Sequence, residues 1–516
     1  MKRRTTLVRT VDGRHGRRVA LVMAAALLVS STGVRADKSV YDWAFIRLDY
    51  ARKEKAQQLR TFCDRIHALA RQARQDEFVV ALFDIIRRHS DPEIQGLIPE
   101  DVAAKVAKLQ ADFNRYYFEK YLVFYDVLFV DMQGKIFYSI RKESDLGHGL
   151  FEDNTRQDSL SLCLRQKPTT EVFVDFHYYE PSSEAAAFIV EPMSKDGVQI
   201  GWVVLQCAIN KANTLLAWTE DLGQTGETFL VNQEGFMLTE SNFEGASTIL
   251  RKRLDDRNIH AKFAEKKGHR IVTDYRGCVA LSSFEVVEFL GTRWLIVAKI
   301  DRDEVVTQHY AQHRRYYADK LLVYLKESPP VPLREGPPVA AQAVIRVDMD
   351  EFLRAGQKQC LHTFGVSTCT ALLVAYPGRF AYLAHISPRD KVYGQADTNL
   401  LGQMLKRVET FDIYHVERHR LVFVVVAPNL NGLLGIVDKL IEEGFLLSQI
   451  RMFYNPQAKS AEVCYDYAKD DLSVGWQLQD PSVEARFQLM EDARNVGTII
   501  HHVIQADERA PATKPE

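Results

Sequence analysis

The sequence predicts a mixed chain of α+β and α/β class in two folded parts. The first part is a long N-terminal helix followed by two stacked antiparallel modules, and the second is a separate layered α/β domain. A helical period of apolar residues runs from 38 to about 73. Short apolar strands with tight turns then form two groups, at about 120–212 and 222–300. A Pro-rich linker, 326–341, precedes further strands and helices at 342–475.

The composition is that of an ordinary globular protein. A chain of 516 residues is too long for one hydrophobic core, which predicts two or three domains. With 46% hydrophobic residues, 26% charged residues and a formal net charge of −2, the chain is neither disordered nor suited to binding a nucleic acid.

The first 36 residues have the features of an export signal. Seven Lys or Arg residues lie within residues 1–18, and the apolar run Val19–Val29 follows them. Val34-Arg35-Ala36 has small or aliphatic residues where a signal peptidase cuts. We interpret residues 1–36 as a signal peptide or, if it is not cleaved, as an N-terminal membrane anchor. Either one places the bulk of the chain outside the cytoplasm, in the periplasm or anchored to the inner membrane.

The cysteines are too scattered for a metal site or a disulfide framework. There are seven, without a close CxxC pair or metal-ligand spacing, and nothing in the sequence predicts a metal or another cofactor. The odd count leaves at least one thiol free or paired between chains. Cys360 is close enough in sequence to Cys369 for a disulfide, which would mask Cys369.

The first part is predicted to begin with helices and to continue with strands. Three helical stretches open it, and a closing helix, 303–324, ends it. Turn residues such as Asp131–Gly134 separate the strands. We predict opening helices at 38–73, 76–89 and 101–120, and strands at 121–130, 135–140, 173–179, 186–192, 201–209, 272–273, 279–284 and 294–299.

Two motifs in this part resemble those of the double Cache (dCache) sensor domains of bacterial chemoreceptors and transmembrane kinases. Gly223–Gly235 is similar to their membrane-proximal signature, G-x-T-G-E-T-x-L-V-x-x-x-G. Val174–Glu184 resembles the membrane-distal pocket region. The resemblance covers about residues 40–305, and it implies two stacked PAS-like modules in a sensor domain, 37–325.

The resemblance also implies a small polar ligand in the distal module: an amino acid, a carboxylate or an amine. Arg156, Asp175, Tyr178 and Tyr179 lie in the region that forms this pocket in the family. The version that binds amino acids has a Trp or Tyr soon after the Arg, whereas here Gln157 follows, so the ligand class stays open. A solvated loop position is the alternative for each side chain. Long sensor helices often pair, so a homodimer is expected.

The segment Thr363–His385 brings a thiol close to an imidazole. It contains two short apolar runs joined by the turn Pro377-Gly378, so Cys369 before the first run and His385 at the end of the second should be neighbours. An imidazole that takes the thiol proton produces a nucleophilic thiolate. The alternative is a buried structural Cys with a His at a strand end.

This segment resembles the active-site segment of the CheD family of chemoreceptor glutamine deamidases. There, a Thr lies six residues before a Cys, and a His follows an Ala on the next strand; here they are Thr363, Cys369 and Ala384-His385. The resemblance covers roughly 342–470, and it implies Cys369 as nucleophile, His385 as base and Thr363 as the residue that orients the imidazole or the amide. The family usually has Gly-Gly-Ala after the middle strand, where this chain has Ala427-Pro428-Asn429.

The remaining elements follow the same resemblance. We predict a helix at 399–408, a strand at 421–427, a helix at 431–444 and a closing hairpin around 453–464. A tail, 476–516, contains a helix predicted at 482–504.

Together the resemblances imply an exported or membrane-anchored sensor, linked to chemotaxis or signal transduction, that carries a domain able to deamidate a protein glutamine. The CheD substrates are cytoplasmic, which conflicts with export. The alternative is a non-catalytic periplasmic protein whose sensor part binds a ligand and whose inactive CheD-like domain binds a partner protein. No second apolar span follows the sensor part in the sequence, so both parts are expected on one side of the membrane.

Overall fold

The computed structural model describes residues 40–89, 124–151, 158–216, 222–254, 256–327, 343–356, 359–388, 399–455, 458–478, 487–489 and 494–509, with single positions between 104 and 115. The predicted export signal, most of the helix predicted at 101–120 and most of the Pro-rich linker lie outside these ranges. No helix within them is long and apolar enough to cross a membrane.

One long helix, α1 (Val40–Gln75), supports both modules of the first part, as predicted. Its C-terminal half, from Ala56 to Ala73, packs in one core with the distal sheet. Near its start, Ala44 and Leu48 pack against the proximal sheet. A shorter helix, α2 (Glu77–His89), follows directly. The helix therefore connects the two modules along one apolar stripe.

The distal module is a five-stranded sheet with all neighbours antiparallel. Its elements are β1 (Phe124–Asp131), β2 (Ile136–Ser139), α3 (Ser159–Arg165), β3 (Val172–Tyr179), β4 (Glu184–Lys195), β5 (Val198–Ala208) and α4 (Ile209–Leu216). The strand order is β2-β1-β5-β4-β3. One face packs against α1, and the other packs with Leu160 and Leu164 of α3. The predicted strands of this module are confirmed, with bounds shifted by a few residues.

The proximal module is a four-stranded antiparallel sheet. Its elements are β6 (Glu227–Val231), α5 (Asp256–Glu265), β7 (Lys267–Thr273), β8 (Val279–Phe289) and β9 (Thr292–Asp301), and the strand order is β6-β9-β8-β7. Two helices close the first part, α6 (Arg302–Gln312) and α7 (Arg314–Glu327). The sequence predicted one helix, but the chain leaves helical geometry at His313. The apolar period continues through this residue, so the pattern could not mark the break.

The C-terminal domain has two sheets and one layer of helices. Its strands are β10 (Ala343–Arg346), β11 (Glu351–Arg354), β12 (Gln359–Val366), β13 (Thr370–Tyr376), β14 (Phe380–Ile386), β15 (Val422–Ala427), β16 (Ile450–Tyr454), β17 (Ala458–Asp466), β18 (Asp471–Leu478), β19 (Phe487–Leu489) and β20 (Arg494–Asn495). Its helices are α8 (Leu400–Phe411), α9 (Leu430–Glu442) and α10 (Val496–Arg509), with short 3-10 helices at His415–Arg420 and Leu447–Gln449.

The two sheets pack face to face. Sheet 3 has the order β10-β12-β17-β18-β19, and sheet 4 has the order β11-β14-β13-β15-β16-β20. Leu361 and Val463 of sheet 3 pack with Leu373 and Leu383 of sheet 4 between them. The other face of sheet 4 packs with all three helices of the domain. The layers are thus sheet, sheet and helices.

The helix predicted at 482–504 was wrong in its first part. Within the described part of the tail, residues 487–489 form β19 beside β18, and the helix begins only at Val496. Pairing with a neighbouring strand overrode the local helical pattern.

Candidate functional site

Cys369 and His385 lie on the same face of the hairpin formed by β13 and β14. Ala371 of β13 is directly opposite His385 of β14, and side chains two residues apart share a face of a strand. Cys369 packs in the core between the two sheets together with Ala371 and Leu373. The imidazole and the thiol therefore both point toward sheet 3, as the hairpin prediction required.

Thr363 reaches the imidazole from the facing sheet. It lies on β12, it is fully buried, and its Oγ1 is 2.8 Å from Nδ1 of His385. When Nδ1–H donates to this hydroxyl, the lone pair of the ring is on Nε2, which is the form that can accept a thiol proton. The sequence analysis put Thr363 six residues before the Cys without assigning it to an element, and the structure holds it on a strand of the other sheet.

The end of β14 is fixed by Asp350. The backbone N–H of Asp350 donates to the carbonyl of His385 at 2.7 Å, and its carboxylate accepts from the N–H of Ser387 at 3.0 Å. These bonds hold the backbone at His385 and directly after it. A ring with a fixed backbone and a hydrogen-bonded Nδ1 has few orientations left.

The first turn of α9 lies against the turn before Cys369. Asn429 caps this helix by accepting from the N–H of Gly432 at 2.6 Å, and its amide donates to the carbonyls of Ser367 and Thr368 at 3.4 Å. A Cβ on Gly432 would meet Oγ1 of Thr370 at 2.9 Å. The N-terminus of α9 is thus held against the turn that precedes Cys369. Ala427-Pro428-Asn429, which differs from the Gly-Gly-Ala of the CheD family, supplies this cap through Asn429.

The thiol and the imidazole are both covered. Cys369 is 6% exposed and His385 is 5% exposed. The segment that follows β14, residues 389–398, lies outside the described ranges. We expect the Cys369 sulfur to lie within about 4 Å of a ring nitrogen of His385, and this distance stays a prediction. The geometry does not favour the alternative disulfide between Cys360 and Cys369, because Cys369 packs between the two sheets, whereas the sulfur of Cys360 lies 2.7 Å from that of Cys464.

The four residues predicted to bind a ligand do not converge in the described part of the distal module. Arg156 lies outside it. Asp175 accepts from Trp294 Nε1 of the proximal sheet at 2.8 Å, and burial raises the pKa of its carboxyl to about 6. Tyr178 is 61% exposed, whereas Tyr179 is fully buried. Their predicted role in binding stays a prediction.

Two residues that the sequence analysis did not single out lie beside Tyr179. Asp145 accepts from the Tyr179 hydroxyl through Oδ2, and the His177 ring is 6.2 Å from the Tyr179 ring. The second Asp145 oxygen and Nε2 of His177 are buried and have no hydrogen-bond partner among the described residues. Burial lowers the pKa of His177, so its ring is neutral near pH 7. His177 is two residues from Tyr179 on β3, so strand alternation could have found it.

The proximal module contains a buried network of charges. Lys299, 2% exposed, pairs with Glu227 at 3.0 Å and with Asp274 at 2.5 Å. Arg276 pairs with Asp274 at 2.7 Å and with Asp301. Buried charges of this kind persist only when they are paired. In the described part of the chain, no group of three or more His, Cys, Asp and Glu side chains is arranged to hold a metal.

Helix α6 connects the first part of the chain to the C-terminal domain. On the side of the first part, the Glu304 carboxylate accepts from the N–H groups of Gln224 at 2.8 Å and Thr225 at 2.7 Å. On the other side, Thr307 Oγ1 accepts from the N–H of Leu447 at 3.1 Å, and the Tyr310 hydroxyl donates to Asp438 at 3.3 Å. One short helix therefore contacts both parts of the chain.

No protein-family model and no curated protein matches the sequence. Among solved structures, the chain is similar to the extracellular ligand-binding receptor from Desulfohalobium retbaense DSM5692, with 16% identity and a TM-score of 0.33, over 49% of this chain and 40% of that one. This chain thus spans less than half of that receptor's length.

Two further matches are chemoreceptor domains. The ligand-binding domain of the Pseudomonas aeruginosa PAO1 amino acid chemoreceptor PctB, in complex with L-Arg, has 14% identity and a TM-score of 0.30, over 51% of this chain and 95% of that one. The periplasmic sensory domain of the Campylobacter jejuni chemoreceptor Tlp1 has 11% identity and a TM-score of 0.34, over 50% and 96%. These matches are extracellular ligand-binding and sensory domains, and at these scores the likeness assigns neither a family nor a ligand to this chain.

Proposed function

We propose that the chain is an exported or membrane-anchored sensor of a small polar ligand whose C-terminal domain is a cysteine-dependent protein-glutamine deamidase. One observation carries the enzymatic half: Thr363 binds Nδ1 of His385 at 2.8 Å, while Cys369 lies on the same sheet face as the imidazole. These are the three residues that the resemblance to the CheD family assigns to the site.

The chemistry follows from these three side chains. His385 takes the Cys369 proton, and the thiolate attacks the carboxamide carbon of a glutamine. Backbone N–H groups of the turn before Cys369 stabilise the oxyanion, with the positive end of α9 beside them. His385 then gives its proton to the leaving ammonia. Water hydrolyses the thioester, which leaves glutamate and restores the thiol.

The sensor half is supported by the distal module. Among the described residues, one Asp145 oxygen and Nε2 of His177 have no partner, and they offer an acceptor and a neutral ring nitrogen beside buried aromatic rings. A small ligand with an amino or hydroxyl group would satisfy both atoms, and unsatisfied buried polar atoms are costly. An amino acid, a carboxylate or an amine remains the proposed class.

A homodimer through α1 is part of the proposal. Trp43, Ile46 and Tyr50 lie on one side of this helix at the helical spacing, and each is between 45% and 59% exposed. Exposed apolar side chains in a row mark surfaces that pack against another chain. Sedimentation of the full chain and of Ile46→Glu tests this contact. The full chain should sediment as a dimer and the variant as a monomer.

A second function is favoured by one observation, the burial of the site. Cys369 as a residue is 6% exposed, so its sulfur cannot meet a protein glutamine unless the surrounding chain opens. In this alternative the C-terminal domain is inactive, binds a partner protein, and keeps Cys369 as a structural thiol.

Alkylation and deamidation separate the two functions. The full chain is treated with iodoacetamide at neutral pH, and Cys369 modification is followed by peptide mass analysis. An activated thiolate reacts rapidly, and His385→Ala slows the reaction. Full chain and Cys369→Ala are then each incubated with an extract of exported proteins. If glutamine in an exported protein is converted to glutamate by the intact chain and not by Cys369→Ala, the result supports the enzyme. Slow alkylation of Cys369 without any conversion of glutamine supports the binding protein.

A further inference from the structure

Two cysteines outside the candidate site face each other on neighbouring strands of sheet 3. Cys360 is on β12, Cys464 is on β17, and their sulfur atoms are 2.7 Å apart. This distance is well inside the contact separation of two unbonded sulfur atoms and longer than the about 2.05 Å of a disulfide bond. Both side chains are buried, at 1% and 6% exposure.

The strand register places this pair on the face of sheet 3 that points away from the site. Cys360 precedes Leu361, which packs between the sheets, and His362, two residues on, is paired in register with Cys464. His362 Nε2 is 2.6 Å from a carboxylate oxygen of Glu462 on that same face. The pair is therefore separate from Cys369, which packs between the two sheets.

We propose that Cys360 and Cys464 form a disulfide that cross-links β12 to β17 when the chain folds in an oxidising compartment. The bond would join residues 104 positions apart in the sequence. Closing a long loop restricts the unfolded chain strongly, so the bond stabilises the C-terminal domain. Thr363 is three residues beyond Cys360 on β12, so the cross-link also fixes the strand that holds Thr363 against His385.

The reaction needs an external disulfide as the oxidant, such as a protein disulfide oxidoreductase or oxidised glutathione. The hydrogen bond from the Cys464 thiol lowers the pKa of Cys360, so Cys360 is the thiolate that attacks first. It forms a mixed disulfide and releases one thiolate of the oxidant. Cys464 then loses its proton, attacks the Cys360 sulfur and releases the second thiolate. The protein loses two protons and two electrons, and the oxidant becomes two thiols.

Peptide mapping tests the bond directly. The full chain, exported and purified without reductant, is blocked with N-ethylmaleimide in denaturant, digested and analysed by mass spectrometry. We expect a cross-linked pair of peptides containing Cys360 and Cys464, which reduction separates. Maleimide on both residues, or a bond from either one to Cys369, overturns the proposal.

Melting of the oxidised and reduced protein gives a second test. Under oxidising conditions, Cys360→Ser and Cys464→Ser should each lower the melting temperature of the full chain by about 5 °C. The double variant should be no worse than either single one, because each removes the same bond. The control Cys278→Ser should leave the transition unchanged. If the serine variants lower the melting temperature equally with and without reductant, the result contradicts the proposal. This test does not depend on whether Cys369 is reactive.

Discussion

The hydrogen bond between Thr363 and His385 is the contact on which the candidate site depends. Thr363→Val keeps the β-branched shape and removes the hydroxyl, so Nδ1 of His385 loses this bond in a buried environment. We expect a loss of about 1–3 kcal/mol in the free energy of unfolding. We also expect alkylation of Cys369 to slow by about tenfold, because the ring is no longer held as a base.

Iodoacetamide kinetics and urea denaturation measure the two effects. Thr368→Val is the matched control, because this exposed side chain is in the neighbouring turn. An unchanged alkylation rate in Thr363→Val would show that the bond is structural only.

Lys262 is a buried cation without an acidic partner in the described part of the chain. Its Nζ donates to Ser282 Oγ at 3.1 Å, and burial, with the nearby charges of Arg270 and Lys299, lowers its pKa to about 8. The folded pKa is below the unfolded value of 10.5, so the folded state binds fewer protons between pH 8 and 10.5. The free energy of unfolding therefore rises with pH in this window, and the full cost of the buried charge is present below it.

Lys262→Met should remove this cost. At pH 7 we expect a gain on the order of 1–3 kcal/mol, which disappears above about pH 10.5. Denaturation at a series of pH values measures it, with Lys267→Met, an exposed neighbour, as the control. A variant that is less stable than the parent at pH 7 would contradict this account.

At the scale of single residues, the sequence located the candidate residues but not their geometry. A turn between two apolar runs fixes a hairpin, which put Cys369 near His385, and Thr363 was added by the resemblance to the CheD family. Asp145 and His177 were missed, because a residue becomes notable in a binding region only when its neighbours across the sheet are known. No sequence pattern showed that Cys360 would lie beside Cys464, which depends on the pairing of β12 with β17.

At the scale of elements, the turn at 223–226 depends on helix α6. Glu304 accepts two backbone N–H groups and the Thr225 hydroxyl, and Gly223, at φ +86°, leaves room for the carboxylate. A side chain at Gly223 would collide with Glu304 and would need a left-handed backbone. This turn, which belongs to the motif Gly223–Gly235, thus binds the Glu304 carboxylate.

Glu304→Gln should weaken this contact. The amide offers one acceptor oxygen in place of two and brings an NH₂ group toward backbone donors, so we expect a loss of about 2–3 kcal/mol. Faster hydrogen exchange at Gln224 and Thr225 should accompany it. Glu288 is an exposed carboxylate that pairs with Arg293. The control Glu288→Gln should change neither the free energy of unfolding nor the exchange at Gln224 and Thr225. Unchanged exchange at both amides would show that the carboxylate does not hold the turn.

Long elements with a clear period were predictable, whereas short strands and the pairing of strands were not. The hairpin predicted around 453–464 was wrong, because β16 pairs within sheet 4 and β17 within sheet 3. The 36-residue α1 and the hairpin β13–β14 agree with the predictions because burial on one face or both imposes a period. Strands β10 and β11 were not predicted, since they have four residues each and are partly exposed. Their existence depends on pairing with β12 and β14, which local sequence does not encode.

At the scale of the whole molecule, the two parts share apolar surface through α6 and α7. Val306, Tyr310 and Tyr317 pack in the same core as the helices of the C-terminal domain. Tyr310→Ala should cost about 3–5 kcal/mol, because a buried aromatic ring is lost together with its bond to Asp438.

Calorimetry measures the consequence for cooperativity. We expect the full chain to melt in one dominant transition and Tyr310→Ala to melt in two. Tyr316→Ala, in the same helical pair but 47% exposed, is the control. Two transitions in the unchanged chain, with no change on Tyr310→Ala, would mean that the parts unfold independently.

The position of α6 also decides where the chain can be divided. By sequence, the border falls in the Pro-rich linker, yet the residues that complete the C-terminal core lie before it. A fragment that starts at the linker would expose the surface that Val306, Tyr310 and Tyr317 cover, and it should aggregate or remain partly unfolded. A fragment from Arg302 onward would retain that cover, but it would remove the closing helices from the first part of the chain. The same helix is thus the end of one folding unit and the beginning of the next, and neither unit is complete without it.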